Sequence, residues 1–165
     1  MKRLLLLLLL FIPLVSFSQT YKDLMSIKSV DMFKKVVIEN NYEFAETNDE
    51  TVTYGYNIQK DSINGDKATK WAMYGLDSDM FFFTFSRNDV LSNFFGMESD
   101  NSENSYDLIL KDVKEKCTYY KVETMDDIEY LTYSCPESTY KGKLGFAVQD
   151  GWGFVMHIPP YPEED

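Results

Sequence analysis

Apolar residues fall at helical spacing in two places along this chain, and after each the pattern changes to alternation. In the first, Met32, Phe33, Val36 and Val37 recur, with Asp31, Lys34, Lys35 and Glu39 on the other side. Ser29 supplies an N-cap, and Asn40 with Asn41 a stop. Extended runs follow at 42–44, 51–58, 68–74 and 80–85. In the second of these, Val52, Tyr54, Tyr56 and Ile58 face one way. Asn48-Asp49-Glu50, Asn64-Gly65 and Asp77-Ser78-Asp79 punctuate the runs as turns, Asn64-Gly65 being the strongest such signal in the chain. Residues 80–85 are apolar on both faces, which predicts a central, well-covered strand.

The second half repeats the order. Tyr106, Ile109, Leu110, Val113 and Cys117 lie on one helical face, with Ser105 as a cap. Strands are predicted at 119–122, 128–134, 143–149 and 152–158, with turns at Met125-Asp126-Asp127 and Asp150-Gly151. Phe81, Phe83 and Phe85 match Phe154, Met156 and Ile158 in this alignment of the halves. The pattern predicts an α+β fold: two tandem helix-plus-antiparallel-strand repeats forming one curved sheet with helices on one face. The first repeat covers 29–86 and the second 105–158. A linker at 87–104 holds a short helix carrying Val90, Leu91, Phe94 and Phe95, with Asn88 as cap and Gly96 as stop. A segment at 19–28 precedes the first repeat, and a proline-rich acidic tail at 159–165 follows the second.

The start of the chain has a different character. Lys2 and Arg3, an apolar run from Leu4 to Val15, and the small residues Ser16 and Ser18 have the order of a cleaved signal peptide covering 1–18. The run is too short for a membrane anchor. The expected location is therefore secreted or periplasmic. The chain has 16 basic and 27 acidic residues, a net charge of −11, and loss of Lys2 and Arg3 makes it two charges more negative. Such a chain is repelled by nucleic acid and by anionic lipid, and a protein partner that is cationic fits it best.

Export gives two cysteines the chance to join. Cys117 and Cys135 are equidistant from Asp126, inside a predicted turn. Residues opposed in an antiparallel ladder have Cα atoms about 4.5–5.5 Å apart, within disulfide reach. The corresponding contact in the first half is Tyr42 with Tyr56 or Ile58, rings in place of a covalent bond.

Reactive chemistry has little footing in the sequence, and no catalytic residue, cofactor or metal site is assigned. The one histidine, His157, falls on the last strand with Gly153 and Val155, opposite Trp152, Phe154 and Met156, and is expected at an exposed or edge position. No G-x-S-x-G setting or glycine-rich phosphate loop occurs. The acidic stretch from Asp100 fails the calcium-loop pattern, since Ser105 and Lys111 stand where glycine and glutamate are needed.

Aromatic residues make up 16% of the chain. Tyr54, Tyr56, Trp71, Tyr74, Tyr130, Tyr133, Phe146 and Trp152 lie on predicted strands, where alternation divides them between a core and an open face. The tandem helix-plus-strands order, from about Ser29 to Ile158, resembles the β-lactamase inhibitor protein fold and its PepSY-like relatives. That resemblance implies one sheet with helices on its convex side and a concave face that grips another protein. The expected function is a non-catalytic binding protein, inhibitor-like or adaptor-like, using aromatic side chains on the open sheet face. The alternative is a small secreted hydrolase using a carboxylate pair.

Overall fold

A computed structural model describes residues 19–63, 65–86 and 105–160. The leader, Asn64, the linker helix and residues 161–165 lie outside them. Among the described residues three helices and eight strands follow one another: α1 (Tyr21–Ser26), α2 (Val30–Glu39), β1 (Glu43–Thr47), β2 (Thr51–Tyr56), β3 (Lys70–Gly75), β4 (Phe81–Ser86), α3 (Ser105–Lys116), β5 (Thr118–Met125), β6 (Ile128–Ser134), β7 (Lys143–Gln149) and β8 (Trp152–Ile158). The strands form one antiparallel sheet in the order β1-β2-β3-β4-β8-β7-β6-β5. Each half is a helix followed by a four-stranded meander. The meanders join through their last strands, so the order reads the same from either edge inward.

Local chemistry sets the helix ends. The Ser29 hydroxyl accepts from the Met32 N–H at 3.4 Å, and Asn40 closes α2 before Asn41 turns the chain with φ 61°. Phe33 from α2 packs on Tyr54, Tyr74 and Phe83, and Tyr106 from α3 on Phe85 and Phe146. These rings lie on one face of the sheet, and with Val155 and Leu144 they make one core shared by both halves. Tyr106 fits because Gly153 leaves room: a Cβ there would stand 2.6 Å from the ring.

The join corrects one detail of the expected duplication. Phe82 pairs with Met156, Phe83 with Val155 and Thr84 with Phe154. Phe81, Phe83 and Phe85 therefore share a face with Gly153, Val155 and His157, whereas Phe154, Met156 and Ile158 point the opposite way. A one-residue shift in phase moves a strand's whole apolar set to the other face.

The hairpin of β5 and β6 turns through Asp126 and Asp127, both with positive φ, and Thr118 pairs with Ser134 at its open end. Cys117 and Cys135 close a disulfide there with Cα atoms 4.4 Å apart. A loop of this size restricts the unfolded chain by roughly 3 kcal/mol in the chain-entropy account. A bulge between Tyr119 and Val122 shifts the register by one, which the equal spacing about Asp126 does not reveal. In the first half Tyr42 meets Tyr56 with ring centroids 5.9 Å apart, the expected aromatic counterpart of the bond.

Segment 19–28, which carried no predicted element, contains α1. Thr20 and Asp23 form a reciprocal capping box, and Tyr21, Leu24, Met25 and Ile27 are buried. The carbonyl of Met25 accepts from both the N–H and the hydroxyl of Thr139 in the second half, at 2.9 and 2.8 Å. The Tyr21 hydroxyl lies 3.7 Å from the Cys117 sulfur. His157 is not at an exposed position: it is 3% exposed, between the rings of Phe81 and Tyr140. Its Nε2 lies 2.7 Å from the Lys141 carbonyl oxygen and its Nδ1 3.2 Å from that of Asp79, and a neutral ring can donate to only one of them.

Two predictions follow from this packing. Gly153→Ala drives a methyl into Tyr106 and is expected to cost about 1–3 kcal/mol in urea unfolding. An unchanged midpoint would mean that Tyr106 does not seat there. Burial raises the hydroxyl pKa of Tyr42, Tyr74 and Tyr140, with a hydrogen bond to Asp79 adding to the effect at Tyr74. The folded chain then keeps protons that the unfolded chain loses at about pH 10. Stability is expected to be whole below that value and to fall as pH rises beyond it. Melting temperature and phenolate absorbance against pH measure this, and a flat alkaline limb would contradict it.

Candidate partner-binding face

The face opposite the helices is built by the other half of each strand's alternation. One cross-strand row runs through all eight strands. Glu43 on β1 pairs with Gly55, Gly55 with Trp71, Trp71 with Thr84, Thr84 with Phe154, and Phe154 with Ala147. Tyr130 stands beside Ala147, one position on from the Leu131–Phe146 pair, and is itself paired with Glu123 on β5. Eight strands at the usual spacing make this row roughly 30 Å long. A parallel row passes through Glu46, Thr53, Met73, Phe82, Met156, Gly145 and Thr132.

Side-chain size is graded along the second row, whereas in the first Thr84 separates Trp71 from Phe154 and Tyr130 stands near the β5 end. Large apolar groups crowd the central strands: Trp71, Met73, Phe82, Phe154 and Met156, with Trp152 paired to Ser86 in the next row. These six are half-buried, and no described helix packs on them. Phe82 and Phe154 touch across the join with centroids 5.8 Å apart. Small residues flank the centre, and two of them let neighbouring rings lie down. A Cβ at Gly55 would stand 3.0 Å from the Trp71 ring, and one at Gly145 3.2 Å from that of Tyr130. The result is a low aromatic strip bounded by carboxylates.

The two ends differ. Glu43 and Glu46 are exposed on the β1 edge, where a bulge and charge both discourage pairing with another strand. Glu123, at the far end, is 7% exposed. Its Oε1 lies 3.2 Å from the Lys121 ammonium and 3.4 Å from that of Lys143, while its Oε2 is buried without a partner. Lys143 also stands 3.7 Å over the Tyr120 ring.

The aromatic residues singled out from sequence divide between the faces. Trp71 and Trp152 lie on the open face, as does Tyr130, although its ring is 2% exposed. Tyr54, Tyr74, Tyr133 and Phe146 are buried beneath the helices and belong to the core. Tyr56 is on the same side, half-buried under the Lys70 ammonium. The correction has a simple cause: each row of the open face takes one position per strand, and the residues one step away go under α2 and α3. Phe82, Phe154, Met73 and Met156 were missed as contributors. Their signal was present in the run at 80–85, apolar on both faces, and in the alternation at 152–158. The expectation that 80–85 is covered on both sides is replaced by a half-buried second face.

A second apolar surface flanks α3 on the helix side. Val122, Leu131 and Val148 are 40–49% exposed there and, with Tyr106 and Leu110, line an open groove of about 350 Å³. Among the described residues no group of three His, Cys, Asp or Glu side chains could hold a metal ion. No described helix is long and apolar enough to cross a membrane. No family model, curated protein or solved structure matches the chain.

Proposed function

We propose that this protein is an exported, non-catalytic binding module whose open sheet face engages another protein. The continuous row from Glu43 through Trp71 and Phe154 to Glu123 carries this reading. Its centre offers rigid aromatic area, the material of interface hot spots. Its β1 end offers the exposed carboxylates of Glu43 and Glu46. The complementary partner is an apolar surface with cationic or hydrogen-bond-donating groups on its flanks. The tandem element order, which resembles inhibitor proteins of the β-lactamase inhibitor type, supports the same reading by analogy of fold. The acidic charge of the chain favours such a partner during encounter and makes association sensitive to salt.

The test uses immobilised exported protein and its native extracellular or envelope fraction, at low and high salt. The wild type is expected to retain a defined protein, more strongly at low salt. Trp71→Ala and Phe154→Ala should each weaken retention about tenfold or more, the equivalent of roughly 1.4 kcal/mol. Ile38→Ala, at an exposed position of α2, serves as the control and should leave it unchanged. Thermal melts confirm that each variant is folded. Retention that survives both aromatic substitutions, or no retained protein at either salt, would overturn the assignment.

A further inference from the structure

The buried side chain of Gln19 presents a problem that one chemical step removes. Gln19 is 3% exposed. Its Oε1 accepts from the Tyr42 hydroxyl at 3.2 Å, but its Nε2, a donor of two hydrogens, is buried without a partner. An amide nitrogen so placed has given up water for nothing. The next residue, Thr20, is fixed by the capping box of α1, its N–H donating to Asp23 Oδ2 at 2.8 Å, which holds the start of the described chain in place beside Tyr42. In the sequence, Gln19 directly follows the small residues that end the leader pattern.

We propose that the leader is cut between Ser18 and Gln19 and that the new terminal residue closes to pyroglutamate. The freed α-amino nitrogen attacks the side-chain Cδ and forms the lactam bond. The Cδ–Nε2 bond breaks, and Nε2 departs as ammonia with the proton lost by the attacking amine. No oxidant or co-reactant is consumed. The ring keeps the oxygen that Tyr42 donates to and discards the atom that has no partner. It also removes the terminal positive charge from a chain end whose side chain is packed inside. The reaction is intramolecular and proceeds on the emerging chain before the terminus docks against Tyr42. Packing then shields the ring. This inference rests on the export reading above and not on partner binding, and a failure of either leaves the other to its own test.

The full chain, leader included, is expressed in an exporting host, and the exported protein is analysed by intact mass and by sequencing of its N-terminal peptide. The expected product begins at residue 19, is one ammonia lighter than the free-glutamine form, and resists Edman degradation. A free α-amine on Gln19, a different terminus, or a retained leader would each overturn the proposal. A second measurement reads the packing. Pyroglutamyl aminopeptidase should release the ring from urea-unfolded protein about tenfold or more faster than from folded protein, because removal from the native state requires local opening. In Tyr42→Phe, which loses the hydroxyl, the folded protein should release it faster than the wild type. Equal release from folded and unfolded wild type would show that the ring is not held in the fold, and would refute this part of the claim.

Discussion

The pairing of β4 with β8 is the contact on which the rest of the molecule depends. Five residues of each strand meet there, from Phe82 with Met156 to Ser86 with Trp152. Each half alone is a helix over a four-stranded meander with two unpaired edges, an outer and an inner one. An unpaired edge of apolar strand invites association with other chains. Pairing the two last strands hides both inner edges at once and leaves only β1 and β5 at the margins. Both marginal strands carry bulges and charged residues. The same contact makes the cores of the halves continuous, since Phe83 and Val155 are neighbours beneath the helices.

The two faces of the join then do different physical work. Beneath the helices, rings interlock: Phe33 on Phe83, Phe83 on Phe85, Phe85 on Tyr106, Tyr106 on Phe146. This chain of contacts links α2 to α3 through the sheet. On the other side large apolar groups gather on β3, β4 and β8. Stability is concentrated on one face, and that leaves the opposite one free to be shaped for recognition. The disulfide and the Tyr42–Tyr56 contact hold equivalent places, each tying the start of an edge strand to its neighbour, by a covalent bond in one half and by rings in the other.

Much of this was legible in the sequence, for reasons that differ by element. The two long helices declared themselves through apolar spacing and through Ser29, Asn40 and Asn41 at the ends of one of them. The hairpins at Asp126-Asp127 and Asp150-Gly151 follow from turn chemistry. The cysteine pair followed from its symmetry about one of those turns. The fold class emerged because element order and apolar phase agreed over two halves. What escaped was whatever depends on a single step of register or on distant contacts. The bulge at 119–122 is silent in composition. The short helix α1 has only six residues, and tertiary contacts to Thr139 and Cys117 stabilise it, where propensity alone would not. His157 reads as an edge residue by type, yet its burial depends on the loops carrying Asp79 and Lys141, which no local pattern brings together. The aromatic assignments suffered most, because neighbouring positions on one strand have opposite fates.

The docking of α1 has a consequence for how the molecule holds together. The carbonyl of Met25 is satisfied by Thr139, 114 residues further along. The first half alone therefore lacks the partner of this carbonyl, although Leu24 and Ile27 belong to the core that both halves share. Within the first half the same segment is held by Asn40 on Asp23 and by Tyr42 on Gln19. Anchoring of α1 across the molecule therefore needs both halves in place, and the N-terminal segment is held by the chain's far end as well as by its own neighbours.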